Sequence, residues 1–159
     1  MMENHNNIKK SNYKKLALMM LVSFIMMYAI MFLNVFELDH VLLSTTRTYM
    51  ALLMVAPMVI SMLLFMWKMY KNVKVNYAII GVSTLVFVCS LYGLRTQTPI
   101  GDLQWMKAMI PHHSSAILTS SNANFKDDEV QKLANDIIKA QKKEIADMKA
   151  MIKRLENEK

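Results

Sequence analysis

Thioether and imidazole side chains are concentrated in one short segment, residues 106–113, with the sequence Met-Lys-Ala-Met-Ile-Pro-His-His. Methionine sulfur and histidine nitrogen together favour soft or borderline metals, copper above all, over magnesium or calcium. In a helix, at about 100° per residue, Met106, Met109 and His113 project to one side, and His112 lies at the edge of that stripe. The spacing therefore indicates a metal site on one face of a helix.

The elements that would position this segment follow from the breakers and charges around it. A linker with one proline and one glycine covers residues 95–101, and Asp102 can cap a helix that runs to about Ser121. A polar turn follows, and a second helix begins at residue 127 or 128 with acids in its first turn. We therefore predict a helical hairpin over residues 102–159.

The second helix carries an apolar arc that two polar residues, Gln141 and Glu144, interrupt. Burial of an unpaired amide costs on the order of 2–7 kcal/mol, so we expect both groups to find partners. The natural partners are the stripe residues of the first helix, which include Asp102 and His113. Pro111 cannot donate a backbone hydrogen bond, so we expect a kink just before the two histidines.

Three apolar runs precede the hairpin, at residues 16–36, 49–67 and 77–94. Each is long enough to cross a bilayer, which takes ~20 helical residues, and none contains an Asp, Glu, Lys or Arg. We therefore predict an all-α protein in which a membrane domain of three transmembrane helices, residues 1–94, precedes the two-helix hairpin.

Lysines flank these runs unevenly, and basic flanks are retained on the cytoplasmic side of a membrane. The pattern places the amino terminus and the second loop inside and the first loop and the hairpin outside. It predicts a multi-pass protein of the bacterial cytoplasmic membrane with an extracytoplasmic carboxy-terminal domain. The flanking lysines are Lys9, Lys10, Lys14, Lys15, Lys68, Lys71 and Lys74.

The net charge of +7 does not indicate a nucleic-acid-binding protein. Most of the surplus comes from the membrane-flanking lysines, and the acids and lysines of the hairpin interleave as on a solvated helix face. The single cysteine, Cys89, lies in the third apolar run, so no intramolecular disulfide can form. The hairpin must be held by packing, by metal or by a partner.

A longer pattern runs through the hairpin, with Met-Ile-Pro-His-His at residues 109–113 and Gln-x-x-Glu-Ile-x-x-Met at residues 141–148. With these motifs, residues 102–152 resemble domain-of-unknown-function family 305, bacterial ferritin-like helical proteins linked to copper binding and tolerance. The family commonly has methionine and alanine where this sequence has Thr119 and Ser120, so one thioether is missing. The further matching residues are Asp102, Trp105, Met106, Ala116, Ile117, Leu133, Ala134 and Ile137.

The resemblance implies a ferritin-like helical bundle. A two-helix hairpin alone buries too little apolar surface for independent stability, so we expect a homodimer that completes four helices.

An ordinary structural role competes with metal binding at each candidate residue. His113 can be a core histidine bonded to Glu144 or Gln141, Asp102 can simply be a helix cap, and His112 can be a surface residue. The metal hypothesis takes as ligands Met106, Met109, His112, His113 and Met148, and as supporting groups or additional ligands Asp102, Gln141 and Glu144.

Methionines also recur every four residues in the second apolar run, at Met50, Met54, Met58, Met62 and Met66. Such a row is either a thioether ladder that passes Cu(I) through the membrane or a flexible packing ridge. No span contains a charged residue or a histidine, which favours the ridge.

Three functions compete at this point. The first is a membrane-anchored extracytoplasmic protein that binds Cu(I) or Ag(I) and sequesters it or hands it to a copper-handling envelope protein. The second is a metal-free interaction or dimerisation module, whose buried polar groups specify register. An enzyme is not expected, because the sequence shows no nucleophile–base pair, nucleotide loop or paired Glu-x-x-His motifs.

Overall fold

The computed structural model describes the backbone of residues 2–158 and the side chains of residues 12–158, so the side chains of Lys9 and Lys10 lie outside the described residues. All regular elements in this part of the chain are helical, which confirms the all-α prediction. The elements are α1 (Met2–Ile30), a 3₁₀ turn (Leu38–His40), α2 (Thr45–Phe65), α3 (Val73–Thr96), α4 (Asp102–Asn122) and α5 (Asp128–Asn157).

Three helices are long and apolar enough to cross a membrane, over Asn12–Ile30, Thr45–Phe65 and Val73–Thr96. The prediction of three candidate spans is confirmed, but their ends differ from the apolar runs. The first helix ends at Ile30 rather than Phe36, although the sequence stays apolar between them. The third begins at Val73, because the side chain of Asn72 caps it by accepting a hydrogen bond from the backbone of Val75.

The described residues form two compact units. The span unit contains the residues up to Ile30 together with Thr48–Thr98, and the hairpin unit contains Met31–Arg47 together with the residues from Pro99 onward. The loop between α1 and α2 therefore belongs with the hairpin, whereas the apolar runs had assigned it to the membrane domain. The predicted linker also shortens to residues 97–101, because α3 continues to Thr96.

One end of the span unit is held by polar contacts between α1 and the connection from α2 to α3. The Tyr13 hydroxyl donates to Asn76 Oδ1 at 2.7 Å, and Asn76 Nδ2 donates to the carbonyl of Tyr70 at 2.7 Å. Leu16, Leu63 and Tyr70 form a buried cluster beside these bonds. Asn76 is fully buried, so these two bonds satisfy an amide that would otherwise be costly.

Within the span unit α2 buries Ala51, Val55 and Leu63, whereas Met50 and Met54 are exposed. A conducting ladder needs enclosed thioethers, so the exposure of Met50 and Met54 argues against one within this unit, whereas Met62 packs against the buried cluster of Leu16, Leu63 and Tyr70.

The hairpin unit is built from α4 and α5, which run antiparallel. Lys107 Nζ near the start of α4 lies 2.7 Å from Glu156 Oε1 near the end of α5. The predicted helix boundaries are confirmed to within a residue, and Asp127 caps α5 by accepting the backbone hydrogen bonds of Glu129 and Val130. The core between the helices contains Met106, Ile110, Ile117, Ile145, Met148 and Ile152.

Two local predictions about α4 need correction or refinement. Asp102 is the first helical residue rather than the cap, because the first turn closes one residue earlier, with the Trp105 N–H bonded to the Gly101 carbonyl at 2.9 Å. Pro111 is buried inside α4, and the helix continues through it to Asn122 without a break.

The loop over Met31–Arg47 packs onto the hairpin through hydrogen bonds rather than strand or helix pairing. Phe36 N–H donates to Ser114 Oγ at 2.7 Å, Asn34 Nδ2 donates to Ser115 Oγ at 2.8 Å, and the Gln104 side chain accepts from the Thr45 backbone at 2.9 Å. Leu42 packs against the core cluster. The loop thus covers part of the apolar face that the two helices alone would expose.

Candidate functional site

His113 is the predicted site residue with the most defined environment. Its Nδ1 lies 2.9 Å from the carbonyl oxygen of Met109, one turn earlier on α4, and its Nε2 lies 2.7 Å from Glu144 Oε2 on α5. The histidine side chain is 12% exposed and the glutamate side chain 53% exposed. The structure thus brings His113 and Glu144 together at the edge of the hairpin core.

The two contacts define the hydrogen-bonding state of the His113 ring. A carbonyl oxygen only accepts hydrogen bonds, so Nδ1 must carry a proton. A carboxylate oxygen also accepts, so the 2.7 Å contact between Nε2 and Glu144 is a hydrogen bond with a proton between the two atoms. Two ligands of one metal ion stand farther apart, roughly 3.4 Å, so Nε2 would bind an ion only after the Glu144 carboxylate had moved outward.

His112 is exposed and adjoins this pair. The centroids of the His112 and His113 rings are 6.0 Å apart and the ring planes are inclined by 65°. His112 does not come within reach of one ion shared with His113 and Glu144; among the described residues, the three acids and histidines that lie close enough for that are Glu37, Asp39 and His40.

The thioethers occupy different positions. Met106 and Met148 are 4% and 7% exposed and form part of the core cluster, and Met109 is partly buried against it. The sequence placed Met106 and Met109 on the face of His113, and that face is the one that packs on α5. Core packing accounts for both buried methionines without a metal.

The remaining predicted residues lie at the margins. Asp102 is exposed at the first position of α4, eleven residues and about 16 Å of helix from His113. It is not brought to the histidines. Gln141 is partly buried on α5, about one turn before Glu144.

A second cluster, which the sequence analysis did not single out, lies in the loop between α1 and α2. We call Glu37, Asp39 and His40 the loop cluster; one ligand atom from each residue lies within 4.8 Å of the others. His40 is 4% exposed. Its Nδ1 lies 2.8 Å from Ser114 Oγ on α4, so the imidazole is anchored to the hairpin.

The second nitrogen of His40 faces the two carboxylates of the loop cluster. Nε2 lies 3.7 Å from Glu37 Oε2 and 3.6 Å from Asp39 Oδ1. The Lys149 ammonium group on α5 lies 2.5 Å from the other oxygen of Asp39, Oδ2. Asp39 therefore directs one oxygen to the lysine and the other to the histidine.

The pKa values of His40 and Asp39 are both lowered, for different reasons. Burial lowers the pKa of His40, and the positive charge of Lys149 lowers it further, while Asp39 and Glu37 raise it. The hydrogen bond from Lys149 is the main reason that the pKa of Asp39 is also lowered. Both shifts favour an uncharged imidazole beside an ionised carboxylate.

A cavity of about 290 Å³ adjoins the loop cluster in the hairpin unit. Lys142 and Phe36 both line this cavity. The Lys142 ammonium group lies 5.6 Å from the centroid of the Phe36 ring and makes a cation–π contact with it. Its lining residues are Phe36, Glu37, His40, Ile117, Lys142, Ile145, Ala146 and Lys149.

A signal for the loop cluster exists in the sequence, because Glu-Leu-Asp-His at residues 37–40 places three ligand-type side chains within four residues. Such a run in a short loop usually indicates only solvated charge. The burial of His40 depends on Ser114, 74 positions away in the chain, and no local pattern reports that contact.

Comparisons with known proteins match both parts of the chain. Residues 93–159 match the model of a protein family, DUF305, described as a domain of unknown function. An uncharacterized protein of Acanthamoeba polyphaga mimivirus is 33% identical over 144 residues, which cover 89% of this chain and 93% of that protein. The similarity to the viral protein therefore extends over the candidate spans as well as the hairpin. No solved structure matches the chain.

Proposed function

The chain belongs to the DUF305 family, and from this premise we propose that it is a membrane-anchored metal-binding protein. Its hairpin unit binds Cu(I) or Ag(I) outside the cytoplasm and sequesters the ion or hands it to another copper-handling protein. The observation that carries the proposal is the orientation of His113: its Nδ1 donates to the Met109 carbonyl at 2.9 Å, which directs Nε2 to the edge of the hairpin core, where an ion would take the place of the proton shared with Glu144.

The donor set around His113 suits this class of metal. His113 and His112 supply imidazole nitrogens, Glu144 supplies a carboxylate, and Met109 supplies the nearest thioether that is not fully buried. Imidazole and thioether ligands favour copper among the first-row metals. The hydrogen bond from His113 Nδ1 to the carbonyl of Met109 orients the ring. Histidines in established metal sites are oriented in the same way, by a hydrogen bond from the ring nitrogen that does not bind the metal.

The buried thioethers are less suited to be ligands in this arrangement. Met106 and Met148 would have to leave the hairpin core to reach a metal on its surface. Emptying the place of a buried methionine costs on the order of 2–5 kcal/mol. The exposed histidines are therefore the ligands to test first.

The proposed location of the hairpin outside the cytoplasm rests on two arguments, the positions of the flanking lysines and the number of membrane crossings. The lysines before the first apolar run and those between the second and third runs favour the cytoplasmic side for both segments. The loop over residues 31–47 and the hairpin form one compact unit, which agrees with three crossings, because these put both segments on the same side of the membrane. The bacterial cytoplasmic membrane predicted from the sequence is part of the same proposal.

The test is a Cu(I) titration of the full chain in detergent against a chromophoric competing chelator. The full chain is needed because residues 31–47 are part of the hairpin unit. We expect the His112→Ala/His113→Ala variant to bind Cu(I) at least tenfold more weakly than the parent. The Met50→Leu/Met54→Leu variant, altered only on the exposed side of α2, should bind as the parent does.

Two outcomes decide the proposal. Loss of affinity in the double histidine variant, with an unchanged helical circular dichroism spectrum, supports a metal site in the middle of α4. Equal affinity in the parent and the double variant contradicts it and leaves His113 as the partner of an ion pair with Glu144.

A metal-free association module is the second candidate, and one observation favours it. Leu133 and Met151 lie on one stripe of α5 and are 59% and 47% exposed, at the edge of the arc that buries Met148 and Ile152. A second copy packed on this stripe would complete the ferritin-like four-helix arrangement. This second candidate predicts that chelators leave the oligomeric state unchanged, and light scattering in detergent measures that state.

A further inference from the structure

We propose that the loop cluster of Glu37, Asp39 and His40 is a second, separate metal site, which takes a borderline divalent cation of the Zn²⁺ type. The proposal does not depend on copper binding at His112 and His113, because it uses different residues, different donor atoms and a different segment of the hairpin unit.

The separations of the donor atoms match a tetrahedral site. Zinc bonds to histidine nitrogen and carboxylate oxygen are about 2.0–2.2 Å long, which places neighbouring ligand atoms roughly 3.4 Å apart. His40 Nε2 lies 3.6 Å from Asp39 Oδ1 and 3.7 Å from Glu37 Oε2. These distances are longer than a normal hydrogen bond, and shifts of a few tenths of an ångström would close them around an ion.

Ser114 holds the His40 imidazole through Nδ1, on the side of the ring opposite to the two carboxylates. Ser114 is fully buried, and its Oγ already accepts the Phe36 N–H at 2.7 Å. A hydroxyl oxygen has two acceptor lone pairs, so it can also accept a proton from His40 Nδ1, 2.8 Å away. In that tautomer the Nε2 lone pair is directed between the two carboxylates, and burial prevents the ring from turning away to solvent.

Charge and space agree with a divalent ion. Glu37 and Asp39 supply two negative charges, and Lys149 neutralises one of them through Asp39 Oδ2, which leaves Oδ1 directed to the histidine. Because the ammonium group neutralises one of the two carboxylates, it lowers the affinity of the loop cluster for a cation. The adjoining cavity of about 290 Å³, lined by Glu37 and His40, has room for a water molecule as a fourth ligand.

The donor types separate this site from the histidine pair on α4. The loop cluster has one nitrogen and carboxylate oxygens, with no sulfur among its three residues. Nitrogen and oxygen donors suit Zn²⁺, whereas thioethers select Cu(I). The two sites should therefore prefer different ions.

The experiment is a Zn²⁺ titration of the metal-stripped full chain in detergent, in competition with a fluorescent chelator. Glu37→Gln removes one charge from an exposed side chain, so the fold should persist, and we expect at least tenfold weaker Zn²⁺ binding. Asp136→Asn, an exposed acid on α5 outside the cluster, is the matched control and should bind as the parent does. The His112→Ala/His113→Ala variant should also retain Zn²⁺ binding.

Lys149→Gln separates a metal site from a merely structural cluster. If Lys149 competes with the ion for Asp39, its removal strengthens Zn²⁺ binding several-fold. Weaker binding in this variant, or a Glu37→Gln variant that binds as tightly as the parent, overturns the proposal. Loss of Zn²⁺ binding only in the double histidine variant also overturns it, because the ion then binds on α4.

Discussion

Ser114 Oγ on α4 and His40 Nδ1 in the loop between α1 and α2 lie 2.8 Å apart, and both side chains are almost completely buried. The neighbouring residue, His113, points to α5 instead and contacts Glu144. Two consecutive positions of α4 therefore organise two different candidate sites. The hairpin is completed by a loop that precedes it by about sixty residues in the chain.

Replacing Ser114 tests how strongly the loop is attached. Ser114→Ala leaves the buried His40 Nδ1 and the partly buried Phe36 N–H without their partner. An unsatisfied buried polar group costs about 1–3 kcal/mol, so we expect a destabilisation of at least that size. Thermal unfolding followed by circular dichroism measures it, and limited proteolysis should show earlier cleavage within residues 31–47.

Ser120→Ala is the matched control for that variant, because Ser120 is on the same helix and only partly buried. It should change stability by less than about 0.5 kcal/mol. Equal effects of the two substitutions would show that the loop is not held through Ser114.

Acidification should weaken the hairpin unit through His40 when metal is excluded by a chelator. The pKa of His40 is lowered below its ordinary value of 6.5, so between the two values the unfolded chain binds more protons than the folded one. Stability therefore rises with pH in that window and is lost progressively as pH falls below about 6.5. The charged groups that face the ring are Glu37 and Asp39 from its own loop and Lys149 from α5.

The measurement is the unfolding temperature of the parent and of His40→Gln between pH 7.5 and 5.5. The pKa of Asp39 is lowered below 3.8, so this carboxylate stays ionised in folded and unfolded chains throughout that range. The parent should lose more stability than the variant. Parallel curves would mean that His40 does not link folding to pH.

The helices of this chain follow from local sequence, and their ends follow only in part. The three candidate spans are apparent from run length, and the second hairpin helix from the acids at its start. The end of α1 could not be predicted from hydropathy, which stays high to Phe36. Beyond that end, Asn34 and Phe36 form hydrogen bonds with α4, about 80 positions away, which no local pattern reports.

The candidate site was predictable to a similar extent. The sequence analysis expected His113 and Glu144 to meet, and they do, at 2.7 Å; burial was not the cause, because the Glu144 side chain is 53% exposed. Spacing also placed Met106 beside His113, but a helical face does not show which of its members an opposing helix covers. The sequence analysis did not single out His40, because its burial depends on a partner in another segment.

A close approach in the span unit gives a prediction for the membrane part. A Cβ at Gly93 would lie 2.8 Å from a ring atom of Tyr49, so Gly93→Ala forces α2 and α3 apart or displaces the ring. Overpacking of this kind costs about 1–3 kcal/mol. We expect a lower unfolding temperature in detergent. Gly81→Ala, where a Cβ would meet nothing within 4 Å, should be neutral or slightly stabilising.

The Tyr49 ring itself provides the internal check. In a Tyr49→Ala background the obstructing atoms are gone, so Gly93→Ala should cost much less than in the parent. A double-mutant cycle measures this coupling. Additive effects of the two substitutions would mean that the glycine is needed for another reason.

Methionine-to-leucine substitutions decide whether the buried thioethers are core or ligands. Leucine has nearly the same volume, so Met106→Leu and Met148→Leu should each cost less than about 1.5 kcal/mol of stability. If the metal is held by the histidines at the surface, both variants should retain the Cu(I) affinity of the parent. Met109→Leu, next to His113 and only partly buried, should weaken it. A tenfold loss of affinity in Met106→Leu or Met148→Leu, without a loss of stability, would show that a core sulfur leaves the packed interior to bind copper.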